Sequence, residues 1–401
     1  MKSLPLLGAP PEAAKALGGP LAAKGFRPFF LLAGIFAAAI LPLWLLALVG
    51  LVRPDAYLDA TYWHAHEMIF GYATAVIAGF LLTAVGNWTH RETSTGGSLL
   101  GLAALWCVAR IVLVMPGVPR PLVAAIDLAF LPAVAIAIGR PIAASKHRRS
   151  YAIVAILLAL WAANLTVHLD VLGVLPGWRR RGALLGVDIV VLLVVVIAGR
   201  VFAMFTRNAT GIATIRSHPR LDIAAIVATA ALVVVDAAAP DTTPALVLAA
   251  LASVLAIARA VHWGGRHALR QPLVCILHVS YAWIPLGLAL RVAAHFSDKV
   301  PASLATHALT VGAIGGATLG MMARVSLGHT GRPLVVSRSV TLAFVLITAA
   351  ALVRVVGPLI DPSVYRAFLF VSGALWSAGF ALFVAVYAPL LTRARPDGKP
   401  G

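Results

Sequence analysis

Apolar residues in this chain neither alternate nor keep to one helical stripe. They come in long runs, parted by short polar stretches rich in Gly, Pro, Arg and Ser. A run of about 20 residues, rising 1.5 Å each, crosses a hydrocarbon core of roughly 30 Å. The runs predict helices at about 26–50, 62–86, 97–115, 119–139, 150–172, 182–205, 221–238, 243–263, 271–295, 302–327, 335–356 and 363–391. A transmembrane β-barrel would instead show alternating segments of about ten residues. The expectation is an all-α, polytopic membrane protein of about twelve transmembrane helices. Residues 1–25 read as a flexible N-terminal tail, 26–392 as a single transmembrane domain and 393–401 as a second tail. Met1 to Lys24 has no compact apolar stretch followed by small residues, so a cleaved signal peptide is not expected.

Composition agrees. The chain is 61% hydrophobic and 11% charged, with a mean hydropathy of +0.95. A water-soluble domain with that balance could not cover its surface with polar groups. The net charge of +18 at first suggests nucleic acid. Its distribution points elsewhere: with the N-terminus inside, the inner segments carry roughly 19 Lys and Arg against 7 outside. Both termini are therefore expected in the cytoplasm. Some of the inner charge would meet anionic lipid head groups. No soluble basic domain is present to hold a duplex, so no nucleic-acid partner is expected. Cys107 and Cys275 both fall inside predicted helices, which excludes a disulfide framework.

The candidate chemistry sits in histidines. The second predicted helix opens with Trp63-His64-Ala65-His66-Glu67-Met68-Ile69-Phe70-Gly71-Tyr72. Ionisable groups at that depth are costly and usually have a partner. Imidazole and carboxylate are good ligands for a transition metal. On a regular helix His64 and Glu67 share a face that continues through Gly71, Ala75 and Gly79, while His66 points away. His168, His295 and His307 lie at the same predicted depth on three other helices, so four helices bring imidazole to one level. For His168 and His295 an interfacial histidine facing head groups is the stronger reading. The remaining loop histidines, such as His90 and His147, read as solvated.

The tenth helix echoes the second. His307 is followed by Gly312, Gly316 and Gly320, spaced by four, a face that admits another backbone or a flat ligand. The two helices are expected to be neighbours, with plain helix packing as the alternative to a porphyrin. In the ninth helix His278 sits nearer the inner leaflet, where it needs a metal or a hydrogen-bond partner such as a carbonyl, Asp127 or Asp188. Arg324, His329 and Arg332 would suit an anionic group such as a haem propionate, or would simply snorkel and set topology.

These pieces together resemble the NnrS family. The matching segments are Phe26-Arg27-Pro28-Phe29-Phe30, Trp63 through Gly71, His278-Val279-Ser280-Tyr281-Ala282-Trp283, and His307 through Gly328-His329-Thr330-Gly331-Arg332. The resemblance implies an inner-membrane protein that binds haem (haem b here) and copper, meets nitric oxide and protects against nitrosative stress. The expected metal ligands are His64, His66, Glu67, His278 and His307, and Glu67 is the expected proton carrier. His66, His278, His307, Gly312, Gly316, Arg324, His329 and Arg332 are expected to hold the cofactor. There is also a fold-level echo of haem–copper oxidases, but the paired histidines of their second metal are missing from the sixth and seventh helices here. A transporter or channel, and a metal-holding sensor without turnover, remain the alternatives. If nitric oxide is reduced, the protein is an oxidoreductase whose electron donor the sequence does not name.

Overall fold

The computed structural model describes residues 18–53 and 57–398, so most of the predicted N-terminal tail lies outside the described residues. Twelve helices are long and apolar enough to cross a membrane by length and composition. They are α1 (Phe26–Leu48), α2 (Ala60–Thr89), α3 (Gly96–Val114), α4 (Arg120–Ser145), α5 (Arg148–Val171), α6 (Arg179–Thr210), α7 (Pro219–Ala238), α8 (Thr243–Trp263), α9 (Pro272–Phe296), α10 (Ala302–His329), α11 (Arg338–Ile360) and α12 (Pro362–Thr392). No strand occurs among the described residues. The expected all-α, multi-pass architecture is what the chain adopts.

Burial ranks the helices. In α2 and α10 the apolar stretch is 83% and 78% buried, against 28% for α7 and 33% for α3. The two helices with the densest histidine chemistry are therefore the central ones. On the outer helices large apolar side chains stay uncovered, Ile223, Val234, Val247 and Val254 among them. In lipid that exposure costs nothing, because hydrocarbon is as apolar as the side chain.

The two central helices share a local irregularity. Each begins as an α-helix and then widens into a π-helical segment, Glu67–Ala73 in α2 and Ala308–Gly315 in α10. Each widening starts immediately after a histidine, His66 or His307. Such π segments often mark functional sites, since they change which way side chains point. Past each widening, face assignments made on a regular helix no longer hold, whereas His64 and Glu67, which stand before it or at its first residue, part because of the groups that face them. His64 and Glu67 do not share a neighbourhood. The His64 ring stacks on Trp44 of α1 at 3.9 Å, while Glu67 turns to Arg110 of α3 at 2.6 Å.

α2 and α10 are neighbours, as their matching design suggests: the Tyr72 and Thr318 hydroxyls are 2.6 Å apart. Their glycine faces do not meet, however. A Cβ on Gly79 would fall 2.9 Å from Phe29 and Phe30 of α1. One on Gly312 would fall 2.3 Å from Trp283, and one on Gly316 2.8 Å from Ser280, both in α9. The small residues of α10 are thus an α9 packing surface, with the Trp283 indole lying against the backbone.

Candidate metal centre

The end of the bundle where α2 begins holds a buried polar cluster drawn from four helices and one loop. α2 supplies His66 and Glu67, α3 Arg110, α4 Asp127, α5 Asn164 and His168, and the α1–α2 loop Tyr57. The α2 start is set by Asp59, whose carboxylate accepts from the backbone N–H groups of Thr61 and Tyr62. Asn164 and His168, four apart, stand one above the other on α5. His66, Glu67, Asp127, Asn164 and His168 are each at least 96% buried.

The contacts are specific. His66 Nδ1 lies 3.0 Å from Glu67 Oε1, and its Nε2 lies 3.0 Å from Asn164 Oδ1 and 3.4 Å from Asp127 Oδ2. His168 Nε2 is 2.9 Å from the same Asp127 oxygen, and its Nδ1 is 2.8 Å from the Tyr57 hydroxyl. Arg110 bridges the carboxylates, donating to Glu67 through one terminal nitrogen and to Asp127 through the other. The Asn164 amide donates to Asp127 Oδ2 at 2.7 Å. Tyr57 lies outside the spans, and burial pushes its phenol upward from the ordinary value, with the negative charge of Asp127 acting in the same direction.

Two features decide what this arrangement can do. His66 has oxygen acceptors at both ring nitrogens, yet a neutral imidazole carries one N–H. Its other nitrogen needs a cation, either a proton or a metal. The charge count agrees: two carboxylates face one guanidinium, leaving one negative charge in a buried site. Ligand atoms of His66, Asp127 and His168 lie within 4.8 Å of one another, which makes them a group able to hold one ion. Their outer partners are those of an oriented metal site. Glu67 and Tyr57 hold the Nδ1 sides, so that both Nε2 atoms face Asp127.

The other expected site residues are spread over separate neighbourhoods. His64 Nδ1 is buried with no hydrogen-bond partner. His307 Nδ1 donates to the Ser303 carbonyl at 2.6 Å, and its Nε2 lies 3.4 Å from Arg354 of α11. His278 takes neither Asp127 nor Asp188 as partner; its Nε2 meets the Thr206 hydroxyl at 2.8 Å. Arg324, His329 and Arg332 do not converge on one point. The Arg324 guanidinium lies 3.8 Å from the Phe205 ring centroid, and the His329 ring packs on Phe26. Arg332 donates to the Thr330 carbonyl. His295 stays outside the cluster, its ring against Phe296.

Sequence reasoning missed Asp127, Arg110, Asn164, His168 and Tyr57 as one group. The available signal was a charge deep inside each of two predicted spans, Arg110 and Asp127, together with Asn164 and His168 at helical spacing.

Among curated proteins none matches the chain. The family described as NnrS protein matches residues 20–395, nearly the whole chain. The chain belongs to the NnrS family, and is a multi-pass membrane protein of the nitric oxide response.

Proposed function

We propose that the protein holds a redox-active metal, copper in this reading, on His66, His168 and Asp127, and that nitric oxide reaches this centre through the membrane. The observation that carries the proposal is His66, with acceptors at both ring nitrogens in a buried cluster one cation short. Imidazole suits copper, and a monovalent ion would bring the cluster to neutrality. Copper there would supply a binding position for nitric oxide and a one-electron couple. The chain's own residues do the rest. Arg110 and Asn164 hold Asp127 in place. Glu67, against His66 Nδ1, is positioned to hold or pass a proton. Nitric oxide is small and apolar, so a centre buried among helices needs no polar substrate channel.

Haem b belongs to this proposal with a different placement from the glycine face. Trp283 fills the space over Gly312, so that face does not fit a porphyrin. The residue that fits is His64, with its unpartnered buried Nδ1; His307, whose Nδ1 is held by Ser303 and whose Nε2 faces Arg354, would join it once Arg354 turned to a haem carboxylate. The placement is the bacterial inner membrane with both termini cytoplasmic, following the excess of Lys and Arg on the inner segments. The metal cluster then faces the outer side.

The test is metal analysis and visible spectra of the purified full-length protein, oxidised and reduced. Copper should be lost from His168→Ala and Asp127→Asn with haem absorbance kept. Haem absorbance should be lost from His64→Ala or His307→Ala with copper kept. Iron without haem absorbance at the cluster would replace copper with non-haem iron(II), which two imidazoles and one carboxylate also suit. Folded protein from cells supplied with copper and haem, yet holding neither, would overturn the proposal. Nitric oxide consumption with a reductant then separates turnover from binding.

A further inference from the structure

The opposite end of the bundle, where α6 and α10 finish and α9 begins, holds a cavity of about 240 Å³. Its lining includes Arg324 of α10, Asn208 of α6, Gln271 and Leu273 at the start of α9, and Leu334 and Val335 from the α10–α11 loop. Arg324 is 7% exposed, and its guanidinium has no hydrogen-bond acceptor and no carboxylate partner among the described residues. Its contact is the Phe205 ring, 3.8 Å below the guanidinium carbon. A buried arginine that keeps its donors free is unusual, because an unpaired buried charge costs several kcal/mol. Among the other buried arginines of the described residues, Arg110 has Glu67 and Asp127, Arg259 has Asp222, Arg27 has the Leu391 and Arg393 carbonyls, and Arg354 donates to the Tyr365 hydroxyl; Arg324 has no such partner.

The rest of the lining is complementary to negative charge. No carboxylate lines the cavity. α9, 25 residues long, starts there with Gln271 as its cap and Pro272 in its first turn; the Gln271, Val274 and Cys275 N–H groups are already bonded to carbonyls, so the positive dipole end rather than a row of free donors faces the space. The last turn of α6 presents the opposite dipole end, which offsets that of α9 by about half a charge. The full charge on Arg324 therefore sets the sign. The side-chain amides of Asn208 and Gln271 are exposed and supply further N–H donors. Arg324 stands five residues before the end of α10, about 7–8 Å inside the helix end. That is the depth of a head group rather than of acyl chains.

We propose that this cavity is an oxyanion site, with Arg324 as its anchor, that takes a phosphate-type group. The group comes either from a phospholipid head group entering beside the α10–α11 loop or from a free anion in solution. The site is at the far end of the bundle from His66 and does not depend on the metal reading.

The experiment is thermal unfolding of the full-length, delipidated protein in detergent. One arm compares inorganic phosphate with chloride at matched ionic strength. The other compares added dioleoylphosphatidylglycerol with dioleoylglycerol, which lacks the phosphate. In the wild type, phosphate, the phospholipid or both should raise the midpoint by at least about 2 °C. Arg324→Gln should start at or above the wild-type midpoint, having lost an unpaired charge, and should show no rise. Response to the phospholipid alone assigns the head group; response to inorganic phosphate assigns a free anion. The exposed variants Gln271→Leu and Asn208→Leu should halve the rise or better, and they carry the test if Arg324→Gln does not fold. No rise in the wild type, or an equal rise in wild type and all variants, overturns the proposal.

Discussion

His64 and His66 are two residues apart, yet they stand in opposite electrostatic settings. His66 meets two carboxylates, one of them also held by an amide and both by one guanidinium. His64 stacks on Trp44, and the charged or polar groups that act on it, Arg354 and His307, bring no carboxylate. One nitrogen of His66 needs a cation, while the buried Nδ1 of His64 has nothing at all. The difference does not come from α2, which supplies both imidazoles. It comes from the facing helices: α3, α4 and α5 bring Arg110, Asp127, Asn164 and His168 to one side, and α10 and α11 bring His307 and Arg354 to the other. Two chemistries on one turn of helix follow from who faces it. The first neighbourhood carries an excess of carboxylate and the second an unpaired guanidinium.

The largest effect that would break this contrast is at Arg110. Arg110→Leu leaves Glu67 and Asp127 buried without their shared cation. Removing one partner of a buried ion pair costs roughly 3–5 kcal/mol. Thermal or denaturant unfolding of the metal-free protein should register a loss of that size. Arg110→Leu combined with Glu67→Gln and Asp127→Asn should recover most of it, since no uncompensated charge remains. A loss below about 1 kcal/mol in the single variant would mean that the carboxylates are not held by Arg110, and the contrast would fall.

Arg354 is the matching test on the other side. Its guanidinium donates to the Tyr365 hydroxyl at 2.7 Å and has no carboxylate partner among the described residues. Arg354→Leu therefore loses the hydrogen bond to Tyr365 and the long one to His307 Nε2, and also removes an unpaired charge. The expected change in stability is within about 1 kcal/mol, in either direction. The same variant should lose haem absorbance if Arg354 meets a haem carboxylate, and should keep copper in either case. A loss as large as that of Arg110→Leu would mean that Arg354 has a structural role of its own, and the two sides would no longer differ in kind.

How much of this was open to reading in the sequence depends on what kind of information each feature needs. The twelve spans were legible because each is a local run of apolar residues that must match the membrane thickness. The prominence of α2 and α10 was legible too, from histidines and glycines at helical spacing. The makeup of the cluster was not, because Arg110, Asp127 and His168 are lone residues in three separate helices whose meeting is a tertiary fact. The direction of side chains past each widening was lost for a second reason. Face assignments assume 3.6 residues per turn, and the π segments after His66 and His307 break that period where the site begins. The Gly312 face shows the same limit: a small-residue stripe reports that something approaches closely, and here the approaching group is Trp283 rather than a cofactor.

The smallest and sharpest test is at Tyr57, which touches the His66 side from the loop before α2. Its hydroxyl is the partner of His168 Nδ1, so it fixes the ring that presents Nε2 to Asp127. Tyr57→Phe removes that partner at a cost of about 1 kcal/mol near neutral pH. Because the hydroxyl orients a ligand, metal affinity should fall roughly 10–100-fold in the same variant. A pH series adds a signature that packing alone would not give. Burial, with the charge of Asp127, raises the folded phenol above its unfolded value. Above about pH 10 the unfolded chain gives up this proton first. The folded chain then binds more protons than the unfolded one, so stability falls as pH rises. The contribution is complete below the unfolded value and is lost as pH climbs toward the folded one. Tyr57→Phe should flatten that alkaline limb while leaving the acid side unchanged. Unaltered metal affinity together with an unaltered alkaline limb would reduce Tyr57 to a packing residue and detach the loop from the cluster.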